Sequence, residues 1–289
     1  MDTTFRLTTV DGATIAYRRR PAALPAAGLP LVLIHGAASN MTRWSEFADT
    51  TALADRHDLL RLDLRGHGQS LYRGRIGLEI WADDIAAILQ QEKIARAILV
   101  GHCLGANVAA TFGLRHPERT SGLVLVEPML RDALTGALRR LVPFAGLLTV
   151  LAGAIRLANR LGLYRRHLPT LDLRELDREF RQRLAEPGGA AALERRYASP
   201  LQDLRIMPSA NFFQDMIEVI RPLAVESLDV PFLALLSTGR TFADPDITRA
   251  LLAHLPQGAI QTLESKHWIP TEQPEAMRNA IDSWCDKIR

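Results

Sequence analysis

The 289-residue sequence has only two cysteines and little net charge. Two isolated thiols, Cys103 and Cys285, exclude the multi-disulfide framework of small secreted proteins and suit a reducing compartment. The net charge of +3 gives no reason to expect a nucleic-acid partner. The first residues have neither the basic stretch nor the apolar core of a signal peptide. We therefore expect a cytoplasmic monomer or homodimer that binds no nucleic acid.

Long apolar runs and metal-ligand clusters are also missing. The longest apolar stretch without a charge, residues 141–155, has fifteen residues, whereas a membrane-spanning helix needs about 18 or more. No group of His, Cys and carboxylate residues has the spacing of metal ligands, and no glycine loop has the pattern of a phosphate-binding site. We expect no stable membrane span, no metal and no cofactor.

Short apolar stretches alternate with helical patterns along most of the chain. Apolar and polar residues alternate within residues 5–18, with Asp11 and Gly12 in the middle, and this pattern predicts a β-hairpin with a tight turn. Further strands are predicted at 31–36, 96–102, 121–128, 230–236 and 259–265, and residues 57–68 predict a strand followed by a Gly-rich turn. Helices are predicted at 44–54, 79–91, 104–115, 245–255 and 274–288. Continuous apolar strands between helices favour a mostly parallel, doubly wound α/β sheet covered on both faces.

Residues 129–228 interrupt this alternation, because their pattern is helical and no stretch among them convincingly predicts a strand. We predict a helical cap, called the cap segment below, inserted between core segments 1–128 and 229–289. Residues 128–225 contain 15 Arg against 10 Asp and Glu. The basic residues concentrated around the apolar stretch 141–163 are Arg139, Arg140, Arg156, Arg160, Arg165 and Arg166.

This basic and apolar stretch has three interpretations. We favour a solvated face beside a core helix. The second is an apolar channel whose basic rim attracts an acidic or acyl-carrying substrate. The third is a surface that makes peripheral contact with a membrane.

The junction Gly101-His102-Cys103-Leu104-Gly105 joins an apolar strand to an Ala-rich helix. At a sharp strand-to-helix turn the middle residue is strained, and glycines two positions before and after it prevent collisions. The helix N-terminus then points at the Cys103 side chain and favours negative charge there. A small buried cysteine at a tight turn is the alternative.

Other motifs follow in a collinear order. His35-Gly36-Ala37-Ala38 follows the first buried strand, Asp63-Leu64-Arg65-Gly66-His67-Gly68-Gln69-Ser70 follows the next, and His267 follows the last. With these motifs the chain resembles the α/β-hydrolase superfamily over residues 3–128 and 228–287. The resemblance implies the α/β-hydrolase fold and leaves the cap segment unmatched.

The resemblance also implies site roles. Cys103 would be the nucleophile in place of the commoner serine, and His267 the general base that shuttles its proton. The backbone N–H groups of Ala37 and Leu104 would form the oxyanion hole. We expect His102 to pack behind the turn. His35 and His67 are expected to have structural roles in loops near the site.

The third triad member departs from the usual pattern. Arg240 stands roughly where most relatives have an aspartate after the strand at 230–236, and Asp244 and Asp246 follow. Some relatives place the acid at the end of the strand after the nucleophile helix, where this chain has Glu127. Glu127 is therefore our first choice and Asp244 the second. A Cys–His dyad is the third option, because a thiolate needs less help from a base.

The expected activity is hydrolysis of an ester, lactone or thioester through a covalent acyl-enzyme. Superfamily members with cysteine at this turn include dienelactone hydrolases and polyhydroxyalkanoate synthases, so acyl transfer is one alternative. A non-catalytic ligand-binding protein is another. The composition of the cap segment predicts an apolar acyl or cyclic small-molecule substrate. The candidates for lining its site are Met207, Phe212, Phe213 and Met216, although plain core packing is favoured for each.

Overall fold

The fold is built on one central sheet. The computed structural model describes residues 2–24, 28–184, 186 and 188–288. The strands are β1 (Thr3–Thr8), β2 (Thr14–Arg20), β3 (Leu31–Ile34), β4 (Leu59–Leu62), β5 (Ala97–His102), β6 (Thr120–Val126), β7 (Phe232–Ser237) and β8 (Gly258–Leu263). They form an eight-stranded sheet in the order β1-β2-β4-β3-β5-β6-β7-β8. The hairpin β1–β2 and the pair β2–β4 are antiparallel, and all other neighbours are parallel.

Helices pack on both faces of this sheet, and others belong to the cap segment. The described helices are α1 (Ser45–Thr50), α2 (Leu78–Gln91), α3 (Leu104–Arg115), α4 (Gly136–Leu141), α5 (Ala145–Arg160), α6 (Leu173–Leu184), α7 (Gly189–Tyr197), α8 (Pro200–Ile206), α9 (Ser209–Val219), α10 (Pro245–Leu252), α11 (Ile269–Glu272) and α12 (Pro274–Cys285). The helix predicted at 44–54 is shorter, because Thr51 adopts an extended backbone and its hydroxyl caps a separate 3-10 turn. The predicted mostly parallel α/β sheet is confirmed.

The core has two parts, one on each face of the sheet. Along β5, Leu99 packs on the side of α2 and α3, whereas Ile98 and Val100 pack on the side of α1 and α12. This alternation follows from the two-residue period of a strand. The four residues predicted to share one face of α2 are all buried there: Trp81, Ile85, Ile88 and Leu89.

The cap segment contributes helices α4 to α9 between β6 and β7. α4, a 3-10 turn and α5 form one continuous run, Gly136–Arg160, of 25 residues with a mean hydropathy of 1.9 in its most apolar window. Within the described residues it is the one helix long and apolar enough to cross a membrane, and only 6% of that window is buried. The favoured interpretation of a core helix is therefore wrong: most of this helix faces outward.

Candidate active site

Cys103 lies at the sharp turn between β5 and α3. Its backbone has φ 55° and ψ −120°, a strained combination for a residue with a side chain. A Cβ at Gly101 would lie 2.1 Å from the carbonyl oxygen of Gly105, and a Cβ at Gly105 would lie 2.4 Å from that of Ile34. Only glycine fits at these two positions, so they allow the turn that presents Cys103 at the carboxyl end of the sheet.

Two backbone donors lie beside Cys103. They are the N–H groups of Ala37, in the loop after β3, and of Leu104, the first residue of α3; no described residue accepts a hydrogen bond from either. The Ala37 loop approaches the turn closely, because a Cβ at Gly36 would lie 3.2 Å from Cys103 Cβ. The backbone N–H of Ala38, the next residue in this loop, already donates a hydrogen bond to a carboxylate oxygen of Asp215.

His267 and Glu127 form a buried pair on the same edge of the sheet. His267 Nδ1 lies 3.0 Å from Glu127 Oε2, and their side chains are 2% and 7% exposed. The backbone N–H of Ser237, at the end of β7, donates to Glu127 Oε1. Glu127 itself has a positive φ of 51° directly after β6, which is uncommon for a residue with a side chain. Both carboxylate oxygens are therefore hydrogen-bonded.

The charge state of His267 depends on this pairing. Burial by itself lowers the pKa of the imidazole, but hydrogen bonds and negative charge from Cys103 and Glu127 raise it, and the pKa of His267 reaches about 10. Glu127 occupies Nδ1 of the ring, and His267 borders the same cavity as Cys103. A pKa of about 10 indicates a protonated His267 imidazole near neutral pH, paired with the Glu127 carboxylate.

Asp244, the second predicted acid, lies outside this group. Its side chain caps α10 by accepting hydrogen bonds from the N–H groups of Asp246 and Ile247. It also pairs with Arg240 at 2.6 Å. Asp244 makes these contacts with residues close to it in the sequence, because it caps the helix α10 that directly follows the loop after β7. The acid beside His267 is Glu127, so neither the Asp244 triad nor the Cys–His dyad describes the observed geometry.

Three further histidines lie near the site. His102 Nε2 lies 3.2 Å from the carbonyl oxygen of His267, and burial lowers the pKa of His102 well below its usual range. His35 Nε2 accepts a hydrogen bond from the N–H of Leu64, so it joins two loops. His67 Nε2 contacts Asp215 at 2.8 Å. Burial lowers the pKa of His67, but the Asp215 carboxylate outweighs burial and raises it.

An apolar cavity of about 330 Å³ opens onto Cys103 and His267. The cap segment lines much of it, and the lining includes three of the four predicted candidates. Phe212, Phe213 and Met216 line the cavity, while Phe212 is also part of the buried core and Met216 packs against it. Met207 lines a separate cavity of about 480 Å³ that includes neither Cys103 nor His267.

Sequence reasoning missed a buried polar cluster beside this cavity. Arg43 Nη1 lies 2.6 Å from both carboxylate oxygens of Asp177 and 2.8 Å from Thr271 Oγ1, while the Tyr197 hydroxyl donates to Asp177. The cluster links α6 and α7 to the core.

Asp203 of α8 also lines the cavity. Burial, followed by the charge of a nearby aspartate, raises the pKa of Asp203 to about 7. No sequence motif marks these residues, because the cap segment brings them together only in three dimensions.

A model of the alpha/beta hydrolase family matches residues 31–280. The chain belongs to the alpha/beta hydrolase family. The match spans β3 to α12 and both residues of the Glu127–His267 pair, and it confirms the superfamily that the sequence motifs indicated. The sequence therefore supports hydrolase activity at the level of the family.

Individual relatives match less of the chain. A 2-hydroxymuconate semialdehyde hydrolase from Pseudomonas sp. (strain CF600) is 32% identical over 103 residues, which are 35% of this chain and 36% of that protein. The chain thus spans about a third of the length of the sequence relatives that it matches.

Solved structures resemble the whole chain. A thermophilic esterase from Thermogutta terrifontis has a TM-score of 0.67 and 22% identity, covering 100% of this chain and 99% of that chain. The enol-lactonase from Burkholderia xenovorans LB400 has a TM-score of 0.68 and 18% identity, covering 98% and 100%. At these identities the likeness concerns the fold.

Proposed function

We propose that the protein hydrolyses a carboxylic ester, lactone or thioester through a Cys103–His267–Glu127 triad. The main support is geometric: the Glu127–His267 pair and the strained Cys103 turn border the same apolar cavity. The similar structures include an esterase and an enol-lactonase, which act on the same class of carbonyl.

In the first step, the Cys103 sulfur attacks the substrate carbonyl carbon as a thiolate. The C–S bond forms while the carbonyl electrons move onto oxygen. The N–H groups of Ala37 and Leu104 are candidates to stabilise that oxyanion, because they lack other acceptors in the described chain. The oxyanion then collapses, and the His267 imidazolium gives its proton to the leaving oxygen or sulfur.

The second step releases the acid. Once the sulfur is acylated, its negative charge is gone, so one of the two groups that raise the pKa of His267 no longer acts. The neutral imidazole then takes a proton from water as the water oxygen attacks the thioester carbonyl. The tetrahedral intermediate collapses with cleavage of the C–S bond, which releases the acid and restores the Cys103 thiolate and the His267 imidazolium. Glu127 keeps the ring oriented and stabilises its cation in both steps.

The cavity favours a substrate with an apolar acyl or cyclic part of moderate size. Its volume is about 330 Å³, and aliphatic and aromatic side chains dominate its lining. Besides Cys103 and the histidines, the acidic and basic residues along it are Arg43, Arg196 and Asp203. These groups restrict where a polar part of the substrate can lie.

Acyl transfer is the second candidate, because the nucleophile is sulfur. A thioester intermediate reacts with thiols and amines more readily than an oxygen ester does. An acceptor that enters the apolar cavity would then replace water in the second step. The acyl-enzyme and the roles of Cys103 and His267 would be unchanged.

A panel of chromogenic esters, lactones and thioesters tests both candidates. Release of the leaving group in buffer alone, with free acid as the product, supports hydrolysis. Release only after addition of a thiol or amine acceptor supports transfer. The Cys103→Ala variant and iodoacetamide treatment should each abolish turnover. A panel with no turnover and no labelling of Cys103 would contradict the proposal and favour a ligand-binding protein.

A further inference from the structure

The cap segment exposes a concentrated apolar surface. Of the fourteen exposed large apolar side chains among the described residues, eight fall within residues 144–164. Contiguous apolar surface of this kind is unusual on a monomeric protein and marks an interaction site. The eight are Phe144, Leu147, Val150, Leu151, Leu157, Leu161, Leu163 and Tyr164.

The exposed side chains follow one face of the helical run Gly136–Arg160. Leu147, Val150, Leu157 and Leu161 are 64%, 70%, 60% and 74% exposed and follow one another at intervals of three, seven and four residues, which keep them on one helix face. With no charged residue between Arg140 and Arg156, nothing ionic interrupts the middle of this face.

The opposite face holds the helix against the protein. Ala152 is fully buried, and Leu148 lines the cavity that contains Cys103. Arg156 donates hydrogen bonds to the carbonyl oxygen of Gly74 and to the side-chain oxygen of Gln214, both at 3.1 Å. Because these contacts run along its length, the helix lies on the body of the protein and is not free to cross a bilayer.

Unbalanced positive charge surrounds the exposed face. Residues 133–171 contain six arginines and no aspartate or glutamate. None of the six forms an ion pair with a carboxylate of the described chain. Arg139 and Arg140 are exposed at the start of the helix, and Arg160 and Arg166 at or beyond its end.

We propose that residues 136–166 form a membrane-docking surface for an anionic lipid bilayer. The helix lies in the plane of the interface, its apolar face enters the acyl region, and the arginines at its ends meet lipid phosphates. A protein partner is disfavoured, because the charge around the apolar face has one sign over the whole segment. This inference does not depend on the chemistry at Cys103.

Vesicle co-sedimentation tests the proposal. The full-length protein should bind vesicles of phosphatidylcholine with phosphatidylglycerol, bind pure phosphatidylcholine far less, and dissociate as salt rises. Leu147→Glu and Leu157→Glu should each weaken binding by about tenfold or more, since each introduces a charge on the inserted face. Arg140→Gln should weaken it roughly fivefold, as expected for one surface cation. Val10→Glu, a change at an exposed apolar residue of the hairpin turn, should have no effect.

A fluorescence measurement covers the case in which a charged variant fails to fold. Val150→Trp keeps the surface apolar and places an indole in the middle of the face. Anionic vesicles should shift its emission to the blue, and brominated lipids should quench it. Either of two results would overturn the proposal: no binding of the unmodified protein to anionic vesicles, or a dimer that Leu147→Glu dissociates and that binds no lipid.

Discussion

Glu127 Oε2 lies 3.0 Å from His267 Nδ1, although the two residues are 140 positions apart in the chain. Glu127 directly follows β6, and His267 comes shortly after β8. The carboxyl ends of parallel strands meet at one edge of a sheet, so topology brings the two side chains together there. We propose that this pair, with Cys103 at the end of β5, is the catalytic group.

Replacing Glu127 by Gln should reduce kcat/KM by roughly a hundredfold or more, because the imidazole loses its orienting carboxylate. The proton on Nδ1 would lose its charged acceptor, and the imidazolium would lose the negative charge of Glu127 beside it. Steady-state kinetics on the ester that the panel identifies measure the change.

Asp244→Asn is the matched control for Glu127→Gln. Asparagine caps a helix about as well as aspartate, so α10 should keep its start. We expect kcat/KM to change by less than about threefold, because Asp244 makes no contact with His267 and instead contacts Arg240 and the start of α10. Equal losses in the two variants would show that Glu127 has no special role.

Stability should fall as pH rises through the range in which His267 titrates. Its pKa is raised from 6.5 to about 10, so the folded protein holds this proton more tightly than the unfolded chain. The resulting stabilisation is complete below pH 6.5 and is lost as pH approaches about 10. Urea unfolding of the protein and of His267→Gln, which cannot titrate there, measures the difference. Parallel pH profiles for the two proteins would contradict the assignment.

The Gly105 position should tolerate no side chain. A Cβ there would lie 2.4 Å from the carbonyl oxygen of Ile34 and 2.5 Å from that of His35, and backbone atoms cannot move aside cheaply. Gly105→Ala should lower the free energy of unfolding by about 1–3 kcal/mol. Gly146→Ala, where a Cβ meets nothing within 4 Å, should be neutral or stabilising. Thermal unfolding of both variants tests this contrast.

The buried Arg43–Asp177 pair should be essential to the attachment of the cap segment. Asp177→Ala leaves a guanidinium that is 4% exposed without its main partner, which should cost about 3–5 kcal/mol. Glu175→Gln, two residues earlier on α6, breaks an exposed pair with Arg178 and should cost less than about 1 kcal/mol. Urea unfolding compares the two, and similar losses would show that burial does not decide the effect.

Much of the fold could be predicted from local sequence patterns. The apolar strands and the glycines around Cys103 fix the central sheet and its sharp turn, because both depend on residues close in the chain. The placement of Glu127 at a strand end was also visible, since strand order alone brings it to the edge where His267 lies.

The cap segment could not be predicted in the same way. Its helices were expected, but the outward orientation of residues 144–164 and the contact between Arg43 and Asp177 depend on tertiary packing. An apolar helix face has the same sequence pattern whether it meets a core, a cavity or a lipid surface. The choice between Glu127 and Asp244 likewise required the path of the loop after β7.

Detection of an acyl group on Cys103 tests the central claim most directly. The protein is quenched in acid during turnover of a slow ester and then analysed by intact-mass and peptide mass spectrometry. We predict one acyl group on Cys103, released by neutral hydroxylamine, and none on Cys285, which is 1% exposed and whose thiol pKa is raised by burial. Undiminished turnover in Cys103→Ala, or an acyl group on a different residue, would contradict the account.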